Sequence, residues 1–133
     1  MQIDITDFFN SCNPSALSAS QLELGARAGE ITWNNSMAEA AKEPKLLDTE
    51  EKQTTFREWV KPWGGWSDEE IAAWNVQELN ALFLQWIASD MRESGLDKPN
   101  PDWDDYRKGC EAGQYHSSFW RSDDGRIYFS LEH

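Results

Sequence analysis

The chain has 133 residues, eight of them tryptophan, and its 24 acidic and 12 basic side chains give a formal net charge of −12. This length predicts one domain large enough to bury a core, and the negative charge opposes binding to nucleic-acid phosphates or anionic membranes. Because no apolar run approaches the ~18 residues of a membrane span, and residues 1–7 lack the basic and apolar regions of a signal peptide, we expect a cytoplasmic protein.

The first third of the sequence predicts two helices. Residues 4–10 indicate a short helical turn that Phe8 and Phe9 anchor. Residues 18–42 begin with capping-box patterns and carry apolar side chains at helical spacing. Proline disfavours helical geometry in the residue before it, so we expect this long helix to end just before Pro44.

The middle third predicts three more helices. The first is amphipathic and the second is short. Acidic residues at 48–51 suit the positive end of a helix dipole. A capping box at 67–70 starts a short helix that ends at Trp74. Between these two helices, residues 61–66 (Lys-Pro-Trp-Gly-Gly-Trp) predict a tight connection.

Residues 75–94 form the strongest predicted helix, with Asn75 as its cap and Gly95 just beyond its end. The segment is apolar on most sides, which is typical of a helix at the buried centre of a domain. A narrow polar stripe remains, and we expect it to mark the solvent edge. The stripe comprises Gln77, Asn80, Gln85, Ser89 and Arg92.

The last third changes from helix to strand. Residues 102–111 predict a short helix, and the β-rich segments 115–120 and 126–130 flank Asp124-Gly125, a strong hairpin signal. An isolated hairpin is marginally stable, so it must pack on the helices or pair with another strand.

The predicted fold class is therefore α+β. We expect a mainly helical single domain over residues 1–130, with a C-terminal antiparallel β-hairpin packed on the helices. Residues 131–133 (Leu-Glu-His) look like the start of a vector-encoded tag and are expected to lie outside this domain.

The sequence offers no pattern that predicts a catalytic residue, a metal site or a cofactor. Cys12 and Cys110 form no CxxC pair and have no base placed by a motif, so we expect reduced thiols. Asp102 opens an acidic run whose spacing fails the calcium-loop pattern, and helix capping explains it more simply. His116 is expected to be a strand residue of the hairpin.

Aromatic residues form the candidate interaction surface. The two tryptophans that flank Gly64-Gly65 could face solvent or fold inward. The aromatic residues of the hairpin alternate across two faces, and a two-stranded sheet can cover only one of them well. The uncovered face predicts a homodimer or a partner strand. The candidate residues are Trp63, Trp66, Phe119, Trp120, Tyr128 and Phe129.

Parts of the sequence resemble a family of small uncharacterised proteins of bacterial phages and prophages. The similar segments are Ser-Ala-Ser-Gln-Leu-Glu-Leu-Gly-Ala-Arg-Ala-Gly-Glu-Ile-Thr-Trp (18–33), Phe-Arg-Glu-Trp-Val (56–60), 66–74, 78–85 and Asp-Gly-Arg-Ile-Tyr (124–128). The resemblance spans about residues 3–130 and implies a phage or mobile-element context. The family has no assigned activity, so the resemblance implies no functional residue. It favours a host-directed protein that binds and blocks a target.

Three functions remain open at this point. We expect a non-enzymatic module that binds an unidentified protein partner through apolar contacts with weak salt dependence. An acidic mimic of nucleic acid would instead bind a nucleic-acid-handling protein in a strongly salt-dependent way. A small hydrolase with a carboxylate pair would hold a carboxylate of raised pKa in a deep pocket.

Overall fold

The computed structural model describes residues 1–11, 46–98, 100–114 and 118–132. In chain order these contain β1 (Gln2–Asp4), α1 (Thr6–Ser11), α2 (Glu50–Gly64), α3 (Asp68–Ala73), α4 (Val76–Glu93), α5 (Trp103–Glu111), β2 (Phe119–Arg121) and β3 (Ile127–Ser130). Helices with a small antiparallel sheet confirm the predicted α+β class. The helix predicted over residues 18–42, Cys12 and His116 lie outside the described residues. None of the helices in the described ranges is long and apolar enough to cross a membrane.

Helices α2 to α5 begin where a side-chain oxygen satisfies a free backbone N–H of the first turn. Ser67 Oγ accepts from the N–H of Glu70 at 3.1 Å, and the Glu70 carboxylate accepts from the N–H of Ser67 at 3.3 Å. Thr49, Asn75 and Asp102 cap α2, α4 and α5 in the same way. These helix starts confirm the predictions made from local sequence.

The end of α2 corrects the connection predicted at residues 61–66. The helix continues through Pro62 to Gly64. Pro62 lies in the last turn, where its missing backbone donor removes one helical hydrogen bond while Trp59 and Val60 stay buried in the core. The chain leaves the helix at Gly65, whose φ of +69° lies in the left-handed region that glycine adopts without a steric penalty.

The sheet has three strands in the order β1-β3-β2, and both pairs are antiparallel. The predicted hairpin is confirmed as β2 and β3. Strand β1 was not among the predicted elements, and it places Ile3 opposite Phe129, which lies opposite Phe119 on its other side. Because β1 pairs with β3, the C-terminal strand is central and the hairpin gains the support that an isolated hairpin lacks.

Asp4 and Thr6 fix the turn from β1 into α1 and tie it to β3. Asp4 Oδ1 accepts from the backbone N–H of Thr6 at 2.9 Å, and Thr6 Oγ1 accepts from the N–H of Ile127 at 2.9 Å. The Arg126 guanidinium donates from Nε to Asp4 Oδ2 at 2.9 Å. Partial burial raises the pKa of Asp4, but the hydrogen bonds from Thr6 and Arg126 outweigh it and hold the pKa below its usual value.

The core lies between one face of the sheet and the helices, and aromatic rings join the two. Phe129 is 1% exposed, with its ring centroid 5.4 Å from that of Phe83 on α4 and 5.8 Å from that of Trp59 on α2. Leu131 was predicted to lie outside the domain, but its side chain is buried in this core. Its N–H also donates to the Met1 carbonyl at 2.8 Å, which extends the pairing of β1 with β3.

Helix α4 is the buried centre of the domain, as predicted, but its polar stripe is not all at the solvent edge. Gln77 and Arg92 are exposed, whereas Asn80, Gln85 and Ser89 are buried. Asn80 is buried because its Oδ1 accepts hydrogen bonds from the backbone N–H groups of residues 46 and 47. Without this acceptor, those two buried donors would be unpaired within the described residues. Within the described part of the chain, Gln85 Nε2 is buried without a hydrogen-bond partner.

Candidate functional site between α5 and β2

The outer face of the sheet carries a stacked pair of aromatic side chains. Trp120 on β2 and Tyr128 on β3 lie directly opposite each other, and their rings stack with centroids 4.6 Å apart and planes at 17°. The indole Nε1–H of Trp120 donates to Gln2 Oε1 at 2.5 Å. Trp120 therefore reaches across β3 to β1 and is held at both ends, while 41% of it remains exposed.

The other two aromatic residues of the hairpin face the opposite way. Phe119 is 3% exposed and Phe129 is 1% exposed. Because side chains alternate along a strand, placing these two rings in the core puts Trp120 and Tyr128 outside. The prediction that Phe119 and Phe129 belong to the interaction surface was therefore wrong, because both side chains are buried in the core.

The two tryptophans near the end of α2 belong to a different group. Trp63 is 39% exposed, and its ring centroid lies 6.1 Å from that of Trp59. Trp66 is half-buried, with its ring edge-to-face against Trp74 at 5.0 Å. The sequence left open whether these two tryptophans face solvent or fold inward. In the structure Trp63 faces solvent, whereas Trp66 packs inward.

A cleft of about 500 Å³ separates α5 from β2 and the hairpin turn. Trp103, Tyr106 and Cys110 contribute to the α5 wall, and residues 119–123 form the other wall. We call this space the α5–β2 cleft. Trp120 is both a wall of this cleft and part of the outer aromatic stack, so the cleft and the outer sheet face form one continuous surface. Sequence reasoning missed the cleft because its two walls meet only in the tertiary structure.

Tyr106 ties the two walls together at one end of the α5–β2 cleft. Its hydroxyl oxygen accepts from the backbone N–H of Phe119 at 3.3 Å, and the residue is buried. Burial raises the pKa of Tyr106, and the neighbouring Cys110 and Asp90 reinforce that direction. The phenol therefore stays protonated at neutral pH and serves as a fixed hydrogen-bonding group. Cys110 is half-buried beside Tyr106 on the same wall.

Charged side chains of both signs line the α5–β2 cleft. Asp104 lies on the α5 wall and Asp123 on the hairpin wall, and both are exposed. Arg107 is paired with Glu111, with the Nη1 to Oε1 distance at 2.9 Å. Arg121 makes no ion pair with any residue that the structure describes. Within those same residues, no group of three or more His, Cys, Asp or Glu side chains is placed to hold a metal ion.

No family model, curated protein or solved structure matches this chain.

Asp90 on α4 is a partly buried carboxyl group close to this site. Burial, together with a smaller contribution from the charge of Glu93, raises the pKa of Asp90 to about 7. Asp90 acts electrostatically on Tyr106, but it is not among the residues that line the α5–β2 cleft. Asp90 therefore does not contribute a carboxylate to the α5–β2 cleft.

We expect the Asp90→Asn variant to be more stable than the wild type at pH 8, by about 4 kcal/mol, and equally stable at pH 4. In the wild type, the unfolded chain ionises Asp90 above about pH 4 while the folded protein keeps the proton until about pH 7. Stability is therefore lost as the pH rises through this range, and Asn removes that loss. Urea unfolding at several pH values measures the difference.

Asp123→Asn, which changes an exposed turn carboxylate, is the matched control and should show no such pH-dependent gain. An NMR titration of the Asp90 carboxyl carbon in the folded protein gives the midpoint directly. A midpoint near 4 would contradict the interpretation.

Proposed function

We propose that this protein is a non-enzymatic interaction module that binds another protein through the outer aromatic stack and the adjoining α5–β2 cleft. The observation that carries the proposal is the state of Trp120. It is 41% exposed, yet the stack on Tyr128 and the hydrogen bond to Gln2 hold it in one position.

A fixed, exposed indole is well suited to binding. Tryptophan is enriched among the residues that dominate interface energies, and a side chain that is already ordered loses little conformational entropy when a partner covers it. Three large hydrophobic side chains are exposed in the described part of the chain: Trp63, Val76 and Trp120. Of these, Trp120 is the one that also lines the α5–β2 cleft, where a partner could enclose it on two sides.

The distribution of acidic side chains supports an apolar module over a nucleic-acid mimic. Several carboxylates have local structural roles. Asp48 pairs with Lys52 at 2.8 Å, Glu70 completes a capping box, and Asp102 caps α5. These carboxylates stabilise the starts of helices. Their positions are therefore accounted for without a surface array of carboxylates that imitates the phosphates of a nucleic acid. The resemblance to phage proteins favours a partner from a bacterial host.

The test is capture of a partner from bacterial lysate by wild type and Trp120→Ala at 0.1 and 0.5 M salt. We expect a partner that remains bound to the wild type at high salt and is lost with Trp120→Ala. Val76→Ala is the matched control, because Val76 is equally exposed but lies at the start of α4, and it should retain the partner. Circular dichroism verifies that both variants are folded.

Two results would overturn the proposal. Retention of the partner by Trp120→Ala would show that binding does not use this surface. Loss at high salt of a partner that is itself a nucleic-acid-binding protein would favour the acidic mimic, since binding that replaces phosphate contacts weakens steeply with salt.

A further inference from the structure

Strand β2 is one of the two edge strands of the described sheet. The hydrogen-bonding directions of its backbone can be derived from its neighbours. Ser118 accepts from the N–H of Ser130 at 2.7 Å, and Ser122 donates to the Arg126 carbonyl at 2.9 Å. Hydrogen bonds alternate along an antiparallel pair. The N–H and C=O groups of Phe119 and Arg121 therefore point away from β3, toward the α5–β2 cleft.

One of these outward groups already has a partner within the protein. The N–H of Phe119 donates to the Tyr106 hydroxyl. Tyr106 of α5 therefore already occupies the hydrogen-bonding position at the first residue of β2. Within the described residues, no hydrogen bond occupies the Phe119 carbonyl or the backbone groups of Arg121, and these groups are directed into the cleft. An added strand lies about 4.8 Å from its neighbour, and the α5–β2 cleft provides about 500 Å³ beside this edge.

We propose that the occupant of the α5–β2 cleft is an extended, basic segment of the partner protein that adds to β2 as a further strand. This inference rests on the proposed binding function and names the chemistry of the partner. Strand addition derives its affinity from main-chain hydrogen bonds and its specificity from the side chains that flank the groove. Here the outward groups of Phe119 and Arg121 supply the hydrogen bonds, and Trp120 flanks the groove.

Charge complementarity favours a basic segment over an acidic one. Asp104 and Asp123 lie on opposite walls of the cleft, whereas Arg107 is already neutralised by Glu111. The net charge of −12 steers cationic segments toward the protein. A lysine or arginine beside the exposed face of Trp120 would gain a cation–π contact. Arg121 is the one opposing charge, so its removal is expected to strengthen binding of a basic segment.

The test uses blocked synthetic peptides with the folded, full-length protein. The probe is acetyl-Thr-Lys-Val-Lys-Val-Lys-Thr-amide, and its match carries Glu in place of each Lys. We expect the basic peptide to bind at least tenfold more tightly by isothermal titration calorimetry. In NMR spectra it should shift the Arg121 amide and slow hydrogen exchange there. A basic peptide N-methylated at every residue has no N–H donor on either edge for the strand ladder and should bind at least tenfold more weakly.

A pair of substitutions at Arg121 separates the backbone donor from the side chain. Arg121→Ala removes only the guanidinium and should bind the basic peptide two- to fivefold more tightly than the wild type. Arg121→Pro also removes the outward N–H, which plays no part in pairing β2 with β3, and should bind at least tenfold more weakly than Arg121→Ala. The Trp120–Tyr128 ring-current shifts verify that the hairpin remains folded in both.

The outcomes separate this inference from the proposed function. Equal or tighter binding of the acidic peptide, or full binding of the N-methylated peptide, would overturn strand addition by a basic segment. If Trp120→Ala still abolished partner capture, the interaction module would stand and only its mode of recognition would fall. If peptides bound as expected but Trp120→Ala still captured the partner, the proposed function would fall instead.

Discussion

Replacing Asn80 by Leu is expected to destabilise the protein by about 2–4 kcal/mol, although Leu is apolar and similar in size. Asn80 is 1% exposed, and its Oδ1 accepts from the backbone N–H groups of Leu46 and Leu47 at 3.1 and 2.9 Å. Its Nδ2 donates to the Val76 carbonyl at 3.0 Å. The substitution leaves two buried amide donors without an acceptor, and each such group costs about 1–3 kcal/mol.

Urea unfolding at pH 7 measures this effect as a shift of the midpoint at unchanged slope. Gln77→Leu is the matched control, because Gln77 lies on the same helix but is exposed, and its expected effect is within about 0.5 kcal/mol. If Asn80→Leu were as stable as the wild type, the segment at residues 46–47 would have another source of hydrogen-bond acceptors.

Truncation of Phe129 to Ala is expected to cost about 3–5 kcal/mol, which is a large part of the stability of an ordinary domain. Phe129 is 1% exposed, and its ring joins the sheet to α2 and α4 through Trp59 and Phe83. Removal of the ring opens a cavity where three aromatic side chains meet. Phe129→Leu retains most of the volume, so its expected cost of about 1–2 kcal/mol leaves a folded protein to measure.

Tyr128 offers a control one residue away. Its side chain stacks on Trp120 on the outer face, so Tyr128→Ala is expected to cost about 1 kcal/mol, from the lost cross-strand pair. Thermal and urea unfolding of the three variants give the comparison. A cost at Tyr128 equal to that at Phe129 would contradict the assignment of inner and outer faces.

The same pair of residues shows how much of the candidate site can be predicted from sequence. Alternation along each strand predicts that Phe119 and Trp120 lie on opposite faces, and that Tyr128 and Phe129 do as well. It does not reveal which face is buried, because both carry aromatic residues. The helices make that choice by packing against Phe129.

Strand β1 is an element of the fold that the sequence pattern could not predict. Three residues are too short for a period to stand out, and the partner of Ile3 is Phe129 at the other end of the chain. Asn80 is a similar case on α4. A polar residue in an apolar helix predicts exposure on average, and the opposite outcome follows from hydrogen bonds to residues more than 30 positions earlier in the chain.

The sequence by itself determined the features that depend on neighbouring residues. Ser67, Asn75 and Asp102 start helices, and Asp124-Gly125 closes a hairpin, because each acts on backbone groups within a few positions. The tertiary structure alone decided the third strand, the burial of Asn80 and the α5–β2 cleft. These features need groups from distant parts of the chain to meet, and only the packing of the whole domain brings those groups together.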